Sequence, residues 1–135
     1  MNVLVDTSVW SLALRRSDGS QGLEADELQR LITDLRVRII GPIRQEILSG
    51  IRHSDQFKQL RDTLRAFPDL TIETAYFERA AEFFNICRQN GVQGSNTDFL
   101  ICAVAERHEL SIFTTDRDFD HFRDFLPITL FEIES

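Results

Sequence analysis

Lysine is almost absent from this sequence: Lys58 is the sole lysine among 15 basic residues, and the others are arginines. Acidic residues are in excess, and the formal net charge is −7 at pH 7. Such a charge argues against a simple nucleic-acid-binding module, which usually carries a basic surplus. It does not exclude an enzyme whose acids are gathered to bind cations. Any phosphate contacts would depend on arginine, which binds phosphate in a bidentate manner.

Cysteine and histidine are also scarce. Cys87 and Cys102 lie within apolar helical patterns, so we expect small core residues in a reducing compartment rather than a disulfide. No CxxC motif or Cys/His cluster is present, which makes a structural zinc site improbable. The three histidines, His53, His108 and His121, sit in unrelated segments, and this disfavours a ribonuclease mechanism driven by histidine.

Long apolar runs are missing as well, because none reaches the roughly 20 residues that a transmembrane helix needs. The first residues lack the basic-then-apolar layout of a signal peptide, so a cytoplasmic location is expected. The chain has 135 residues, of which 42% are hydrophobic. This size and composition predict one domain spanning residues 1–135, large enough to bury a proper core.

Short apolar segments alternate with helical patterns along the chain. Strands are predicted at 2–5, 37–41, 70–73, 111–116 and 128–133. Helices are predicted at 7–16, 23–36, 42–50, 54–67, 74–91, 95–110 and 118–122, with a loop at 17–22. The alternation predicts a three-layer α/β/α fold, in which helices cover both faces of a mostly parallel central sheet.

Four acids occupy corresponding places in this pattern. Asp6 ends the first strand and Asp116 ends "SIFTT". Ligands of open α/β sheets bind beyond the carboxyl ends of the strands, so these two acids should lie at one edge. Glu46 and Asp98 lie early in helices that begin at the same edge. We therefore expect four carboxylates from distant segments to share one pocket.

Each acid also has a structural interpretation when it is taken alone. Asp6 could accept hydrogen bonds at a helix start, and Glu46 would be favoured near a helix N-terminus by the dipole. Asp98 completes a capping-box pattern with Ser95, and Asp116 could form an Asx turn. Crowded carboxylates raise one another's pKa unless hard divalent cations with oxygen ligands occupy the site. The pattern as a whole therefore favours a metal site.

The segments "VDTSVW", "PIRQEILSG", "GSNTDFLICAVA" and "FTTDRDF" resemble the four acidic motifs of PIN-domain ribonucleases, above all VapC-type toxins. The resemblance runs from Asn2 to about Ile133. It implies a catalytic quartet, with the metal held mainly by the first, third and fourth members: Asp6, Glu46, Asp98 and Asp116. It also implies hydrolysis of structured RNA, such as tRNA or rRNA, with Mg²⁺ as cofactor and Mn²⁺ as a possible substitute.

Neighbouring polar residues are candidates for supporting roles. By the same resemblance, Thr7, Ser8 and Thr115 would support the acids, while Asp118 or Asp120 could share or replace the role of Asp116. Arginines near the motif segments could hold flanking phosphates of the RNA. These candidates are Arg15, Arg16, Arg44, Arg52 and Arg117.

Two protein partners are implied by the resemblance. One is a small antitoxin whose C-terminal segment would cross the acidic pocket, where an arginine could pair with the carboxylates. The other is a second copy of the chain in a homodimer. The helix around Tyr76, Phe77, Phe83 and Phe84 is apolar over a wide face, which core packing or an interface would explain.

Other protein classes also carry acids at strand ends. A phosphate-accepting receiver domain would want a lysine after a late strand, and Lys58 is in the wrong place. A haloacid-dehalogenase-like phosphatase would want a second aspartate two residues after the first, where Ser8 stands. A non-catalytic binding module that keeps the fold and its acidic pocket stays open as an alternative.

Overall fold

The computed structural model describes residues 1–15 and 22–134. Within these residues, four short strands form one parallel sheet with the order β2-β1-β3-β4. The strands are β1 (Val3–Val5), β2 (Val37–Arg38), β3 (Ser111–Phe113) and β4 (Thr129–Leu130). Most of the predicted loop at 17–22 lies outside the described residues.

Seven helices connect the described strands: α1 (Thr7–Arg15), α2 (Leu23–Thr33), α3 (Gly41–Leu48), α4 (Ser54–Leu64), α5 (Thr74–Gln89), α6 (Asn96–His108) and α7 (Asp118–Arg123). The chain moves from β1 to β2 on one side and then returns past β1 to β3. Right-handed crossovers in opposite directions place their helices on opposite faces of the sheet. Accordingly α1 packs against α2, and α5 packs against α6. The predicted α/β fold with a parallel sheet is confirmed.

The first strand lies at the centre of the core. Val3, Leu4 and Val5 are fully buried, and β1 pairs with β2 on one side and β3 on the other. A strand covered on both faces has no solvent side, which explains why "VLV" is apolar without alternation. Pairing of Val5 with Phe113 brings the carboxyl ends of β1 and β3 to the same level.

The extended segment predicted at 70–73 does not form a strand. Only an isolated parallel bridge joins Ile39 to Asp69, and the backbone N–H of Leu70 donates to the Ile39 carbonyl at 2.9 Å. Pro68 has no N–H to donate, and α5 begins at Thr74, so little room is left for a ladder. The second and last strands are likewise shorter than predicted.

Glycine at the end of α5 allows the chain to turn towards α6. Gly91 has a φ of +76°, a left-handed conformation that glycine adopts without steric cost. Cys87 and Cys102 are buried free thiols, as expected for core residues. In the described part of the chain, no helix combines the length and apolar character needed to cross a membrane.

Candidate active site

The chain direction across the sheet reverses at β1, which lies between β2 and β3. In open α/β sheets the crevice at such a reversal, beyond the carboxyl ends of the strands, is the usual ligand site. A cavity of about 460 Å³ opens there. Its acidic lining consists of Asp6, Glu46, Asp98 and Asp116. The fold thus brings all four candidate acids to the wall of one cavity.

A larger cavity, of about 570 Å³, lies at the opposite edge of the sheet beside Met1, Leu110 and Thr129. It is at the amino ends of the strands, where open α/β sheets do not place their ligands. Its two acids, Glu106 and Glu109, come from one short stretch of chain rather than from distant segments. The cavity at the carboxyl ends is therefore the better candidate for a reaction site.

Asp6 is held firmly at the base of the site. Its backbone N–H donates to the Phe113 carbonyl at 2.9 Å, and the residue is only 8% exposed. The hydroxyls of Ser8 and Thr114 donate to its Oδ2 at 2.9 and 2.8 Å. Among the bonds between described residues, both of these reach Oδ2 and none reaches Oδ1. As far as the described residues go, Oδ1 is the oxygen that Asp6 can offer to a ligand.

Thr114 is a site residue that sequence reasoning missed. Its hydroxyl donates to Asp6 and also accepts the backbone N–H of Asp116 at 3.0 Å, so it links two of the acids. The sequence had suggested Thr115, whose side chain lines the cavity and whose N–H donates to Ser8 Oγ at 3.1 Å. Extending the Val5–Phe113 pairing by one residue sets Thr114 beside Asp6, a signal that depends on knowing the strand register.

Asp98 forms the capping box that the sequence suggested and also lies at the acidic cavity. It forms a capping box, in which its Oδ2 accepts the Ser95 N–H at 3.1 Å and its own N–H donates to Ser95 Oγ at 3.1 Å. The same carboxylate lines the cavity. Burial raises its pKa, the bonds from Ser95 oppose this, and the charges of Asp116 and Asp6 raise the pKa further. Capping the helix therefore does not remove Asp98 from the acidic cluster.

The other two acids lie at the exposed mouth of the cavity. Asp116 Oδ1 accepts the backbone N–H of Asp118 at 2.9 Å, which forms the suggested Asx turn at the start of α7. Glu46 projects from α3, and its pKa is raised first by desolvation and then by the charges of Asp6 and Asp98. Asp118 and Asp120 belong to the first turn of α7 and are not among the described residues that line this cavity.

The donor atoms of the site suit a hard divalent cation. They are carboxylate oxygens that repel one another, together with the hydroxyl of Thr7. This hydroxyl is buried, and among the described residues it has no partner in hydrogen-bonding geometry. Its interaction with Glu46 nevertheless lowers the pKa of that carboxyl. Within the described residues, no three Asp, Glu, His or Cys side chains come close enough together to enclose an ion. This arrangement fits Mg²⁺, which usually keeps several waters and needs only one or two carboxylates.

The candidate arginines have different environments. Arg44 is committed to the fold, because its guanidinium donates to Asp69 Oδ1 at 3.0 Å, to the Leu64 carbonyl at 2.9 Å and to the Phe67 carbonyl. Arg52 and Arg117 are exposed, and Arg117 directly follows Asp116. Arg16 and the side chain of Arg15 lie outside the described residues.

Comparison with known proteins agrees with this geometry. Residues 3–124 match the family model described as "PIN domain". VapC ribonuclease Mb1587 of Mycobacterium bovis is 34% identical over 122 residues, which cover 87% of this chain and 89% of that protein. The ribonuclease VapC11 of Mycobacterium tuberculosis shows the same identity and coverage.

A solved structure has the same architecture over the whole chain. It is VapBC2 from Rickettsia felis bound to a DNA fragment from its promoter, with a TM-score of 0.77 and 17% identity. The match covers 99% of this chain and 100% of that one, and at this identity it shows the fold alone. With the family model and the 34% relatives, the assignment is firm: the chain belongs to the PIN-domain family and, within it, to the VapC ribonucleases.

Proposed function

We propose that this protein is an endoribonuclease that requires Mg²⁺, or Mn²⁺ in its place, and acts as the toxin of a type II toxin–antitoxin pair. The observation that carries the proposal is the cavity at the carboxyl ends of β1 and β3, with four acids and, among its described lining residues, no basic side chain. Carboxylates left without a basic partner in this way are typical of a site that binds a cation. Membership of the VapC ribonucleases supports RNA as the substrate.

The residues of the site would have different roles in the reaction. Asp6, Asp98 and Asp116 would hold the cation, one or two of them directly and the rest through waters that the ion keeps, because no three of these side chains in the described part of the chain enclose an ion. Ser8 and Thr114 keep the Asp6 carboxylate in place. A bound divalent ion in such a site supplies an activated water and neutralises the phosphate. The Glu46 carboxylate, at the exposed mouth and with a raised pKa, is suited to accept a proton from the attacking water.

Polar residues around the acids would complete the site. Thr7 and Thr115 line the cavity beside the acids and would support them. The exposed guanidiniums of Arg52 and Arg117 would hold phosphates on either side of the cleaved bond. An acidic protein can approach RNA in this way because the bound cation reverses the local charge.

The biological setting follows from the family and is part of the proposal. The substrate is a structured RNA such as tRNA or rRNA, and the enzyme works in the cytoplasm as one domain of residues 1–135. Its partners are a second copy of the chain and a small antitoxin whose C-terminal segment crosses the acidic cavity. An arginine of that segment would pair with the carboxylates and exclude the metal.

The metal requirement is tested by incubating the purified protein separately with tRNA and rRNA. Cleavage is expected with Mg²⁺ or Mn²⁺ and is expected to stop when EDTA exceeds the metal. Asp6→Asn serves as the inactive control, because it removes the most buried acid of the site. Undiminished cleavage in excess EDTA would overturn the metal-dependent mechanism.

The toxin role needs a separate test in cells. Growth should stop when the protein is expressed alone and recover when the product of the adjacent gene is expressed with it. The Asp6→Asn variant, expressed to the same level, should leave growth normal in both cases. Normal growth with soluble, folded wild-type protein expressed alone would contradict the toxin assignment.

A further inference from the structure

A second, smaller cavity shares the first turn of α6 with the candidate active site. It has a volume of about 150 Å³ and is called the aromatic groove below. It is lined by Phe84, Arg88, Val92, Gln93, Gly94 and Phe99. Asp98 and Phe99 are consecutive residues, and the first lines the acidic cavity while the second lines the groove. The two cavities are therefore neighbours at the first turn of α6.

The wall of the groove is built from packed aromatic rings. Phe84 meets Phe99 edge to face, with centroids 5.6 Å apart, and Phe99 contacts Phe122 at 4.9 Å. A Cβ atom at Gly94 would lie 2.5 Å from Cζ of Phe122 and 3.0 Å from Cζ of Phe99. Only glycine lets the chain before α6 close onto these rings. The groove thus has a fixed wall, and the partly buried Phe84 is more accessible than the fully buried rings of Phe99 and Phe122.

Charge distinguishes the aromatic groove from the acidic cavity. Among the described residues that line it, Arg88 alone is charged, and its guanidinium lies 5.9 Å from the centroid of Phe84. An aromatic face beside an arginine is the combination that holds unpaired nucleotides in proteins that bind single-stranded nucleic acid. The volume of about 150 Å³ is several times the ~30 Å³ that one water occupies, so the groove can admit a group larger than a water.

We propose that the aromatic groove receives one nucleobase of the RNA strand beside the cleaved bond. Phe84 supplies the stacking surface, and Arg88 holds the base or the phosphate attached to it. A base can enter the groove only when it is unpaired and unstacked from its neighbours, so the substrate is cut in a loop, a bulge or an end. This inference rests on the proposed ribonuclease function and defines the class of RNA that the site accepts.

The test uses a hairpin RNA with a randomised loop as the probe. Sequencing the ends formed by the wild-type protein with Mg²⁺ gives one cleaved hairpin, which is then made again with a single abasic nucleotide at each loop position in turn. At one position near the cut, removal of the base should lower kcat/KM about tenfold, the fold-change that matches ~1.4 kcal/mol of lost stacking. Most of the change should be in KM.

Two variants locate this effect in the groove. Phe84→Leu keeps an apolar side chain but removes the ring, and Arg88→Gln changes an exposed charge with little risk to folding. Both should cut the intact hairpin more slowly, and Phe84→Leu should show no further loss when the base is removed. Phe77→Leu is the matched control, because Phe77 is 55% exposed on the same helix face about two turns earlier.

The possible outcomes distinguish failure of the groove assignment from failure of the proposed ribonuclease function. If wild-type protein with Mg²⁺ cuts neither the hairpins nor tRNA and rRNA, both the ribonuclease function and the groove assignment fail. If it cuts tRNA or rRNA but no hairpin, only the groove assignment fails. If base removal has the same effect in Phe84→Leu as in wild type, or if both groove variants cut as fast as wild type, only the groove assignment fails. Loss of dimer in light scattering with unchanged cleavage would assign the groove to a protein interface and overturn the proposal.

Discussion

Two carboxylates on α6 have opposite electrostatic surroundings. Asp98, in the first turn, faces Asp6 and Asp116, and its pKa is raised by burial and by their charges. Glu106, near the last turn, receives Arg79 Nε and Nη2 at 2.9 Å each, and this pair lowers its pKa. The helix dipole favours an acid at the first position rather than the second, so the difference runs against the dipole. The difference in pKa arises from the side chains that neighbouring elements place beside each carboxylate.

The comparison shows which of these carboxylates the fold pairs with a basic side chain and which one it places among other acids. Arg79 comes from α5 and binds Glu106 across the α5–α6 contact, as expected for an acid that helps to hold two helices together. The elements around Asp98 present further acids from β1 and from the chain after β3. Such a cluster costs stability in the metal-free protein. The cation of the proposed function would offset this cost.

The largest expected effect comes from Asp98→Asn. Asparagine keeps the size of the side chain and an oxygen that can accept the Ser95 N–H, but it removes the charge that a hard cation needs. The metal-free variant should be as stable as wild type or more stable, because one repelling charge is gone. It should lose the Mg²⁺-dependent rise in melting temperature and nearly all RNA cleavage. Asp6→Asn should behave alike, and Glu46→Gln should be milder.

Glu106→Gln is the matched control for Asp98→Asn, since it neutralises an acid of the same helix outside the acidic cavity. It should cut RNA at the wild-type rate and keep the response to Mg²⁺. Melting temperature with and without Mg²⁺, together with the cleavage rate on one RNA, distinguishes the two variants. An Asp98→Asn protein that is less stable yet cuts normally would show that Asp98 serves only as a helix cap.

A smaller effect is expected from Thr114→Val, which keeps the shape of the side chain and removes its hydroxyl. Asp6 then loses one of its two hydroxyl donors, and the N–H of Asp116 loses its acceptor. Loss of a group that orients a metal ligand typically lowers activity or metal affinity by about 10–100-fold. The stability should fall by about 1 kcal/mol. Cleavage rates measured across a series of Mg²⁺ concentrations separate weaker binding from slower reaction.

Thr114→Ser provides the rescue, because serine restores a hydroxyl at the same place. If Thr114→Val cuts RNA like wild type at every Mg²⁺ concentration, the hydroxyl does not position the acids. If Thr114→Ser is as impaired as Thr114→Val, the packing of the methyl group rather than the hydrogen bonds accounts for the loss.

The position of Asp6 and Asp116 could be predicted because it depends on features that one sequence displays. The run "VLV" has no polar alternation, which indicates a buried parallel strand, and Asp6 directly follows it. The rule that ligands bind at the carboxyl ends of parallel strands then places both acids at one edge. The same reasoning gave the helix start that carries Asp98, whereas Glu46 lies beyond the first turn of α3 and not early in its helix as predicted.

Features that depend on register or on three-dimensional neighbours were not visible in the sequence. Choosing between Thr114 and Thr115 requires the residue at which β3 ends and its pairing with β1. Arg44 looked available for RNA because it lies in a motif segment, but the fold places two carbonyls and Asp69 around its guanidinium. Spacing alone does not show that the Asp98 carboxylate can cap α6 and still line the acidic cavity.

A third prediction uses pH to separate the two kinds of acid. The raised pKa values of Asp98 and Glu46 mean that the folded, metal-free protein binds their protons more tightly than the unfolded chain does. Their ionisation therefore costs stability above the raised values, and this cost is relieved as the pH falls towards the ordinary values of 3.8 and 4.5. Glu106, whose pKa is lowered, stabilises the fold above its ordinary value of 4.5, and this contribution is lost at lower pH.

Denaturant unfolding of chelator-treated protein across a pH series measures both effects. In Asp98→Asn, the gain in stability on acidification should be smaller than in wild type. In Glu106→Gln, that gain should persist while the loss at lower pH is reduced. Identical pH profiles for wild type and Asp98→Asn would show that the charge of Asp98 carries no cost in the metal-free protein.

The smallest effect belongs to the Arg79–Glu106 pair itself, measured by a double-mutant cycle with Arg79→Gln and Glu106→Gln. The two side chains are 38% and 28% exposed, so water screens most of their attraction, and the coupling should be about 0.5–1 kcal/mol. Paired donors from one guanidinium place it towards the upper end of that range. Arg79→Gln should lower the free energy of unfolding by more than this coupling energy, because the Arg79 guanidinium also lies over the Phe83 ring, 4.6 Å from its centroid.

RNA cleavage should stay at the wild-type rate in both single variants and the double variant. A coupling near zero would mean that the lowered pKa of Glu106 does not reflect a stabilising pair, and the contrast with Asp98 would then rest on the repulsion within the acidic cavity alone.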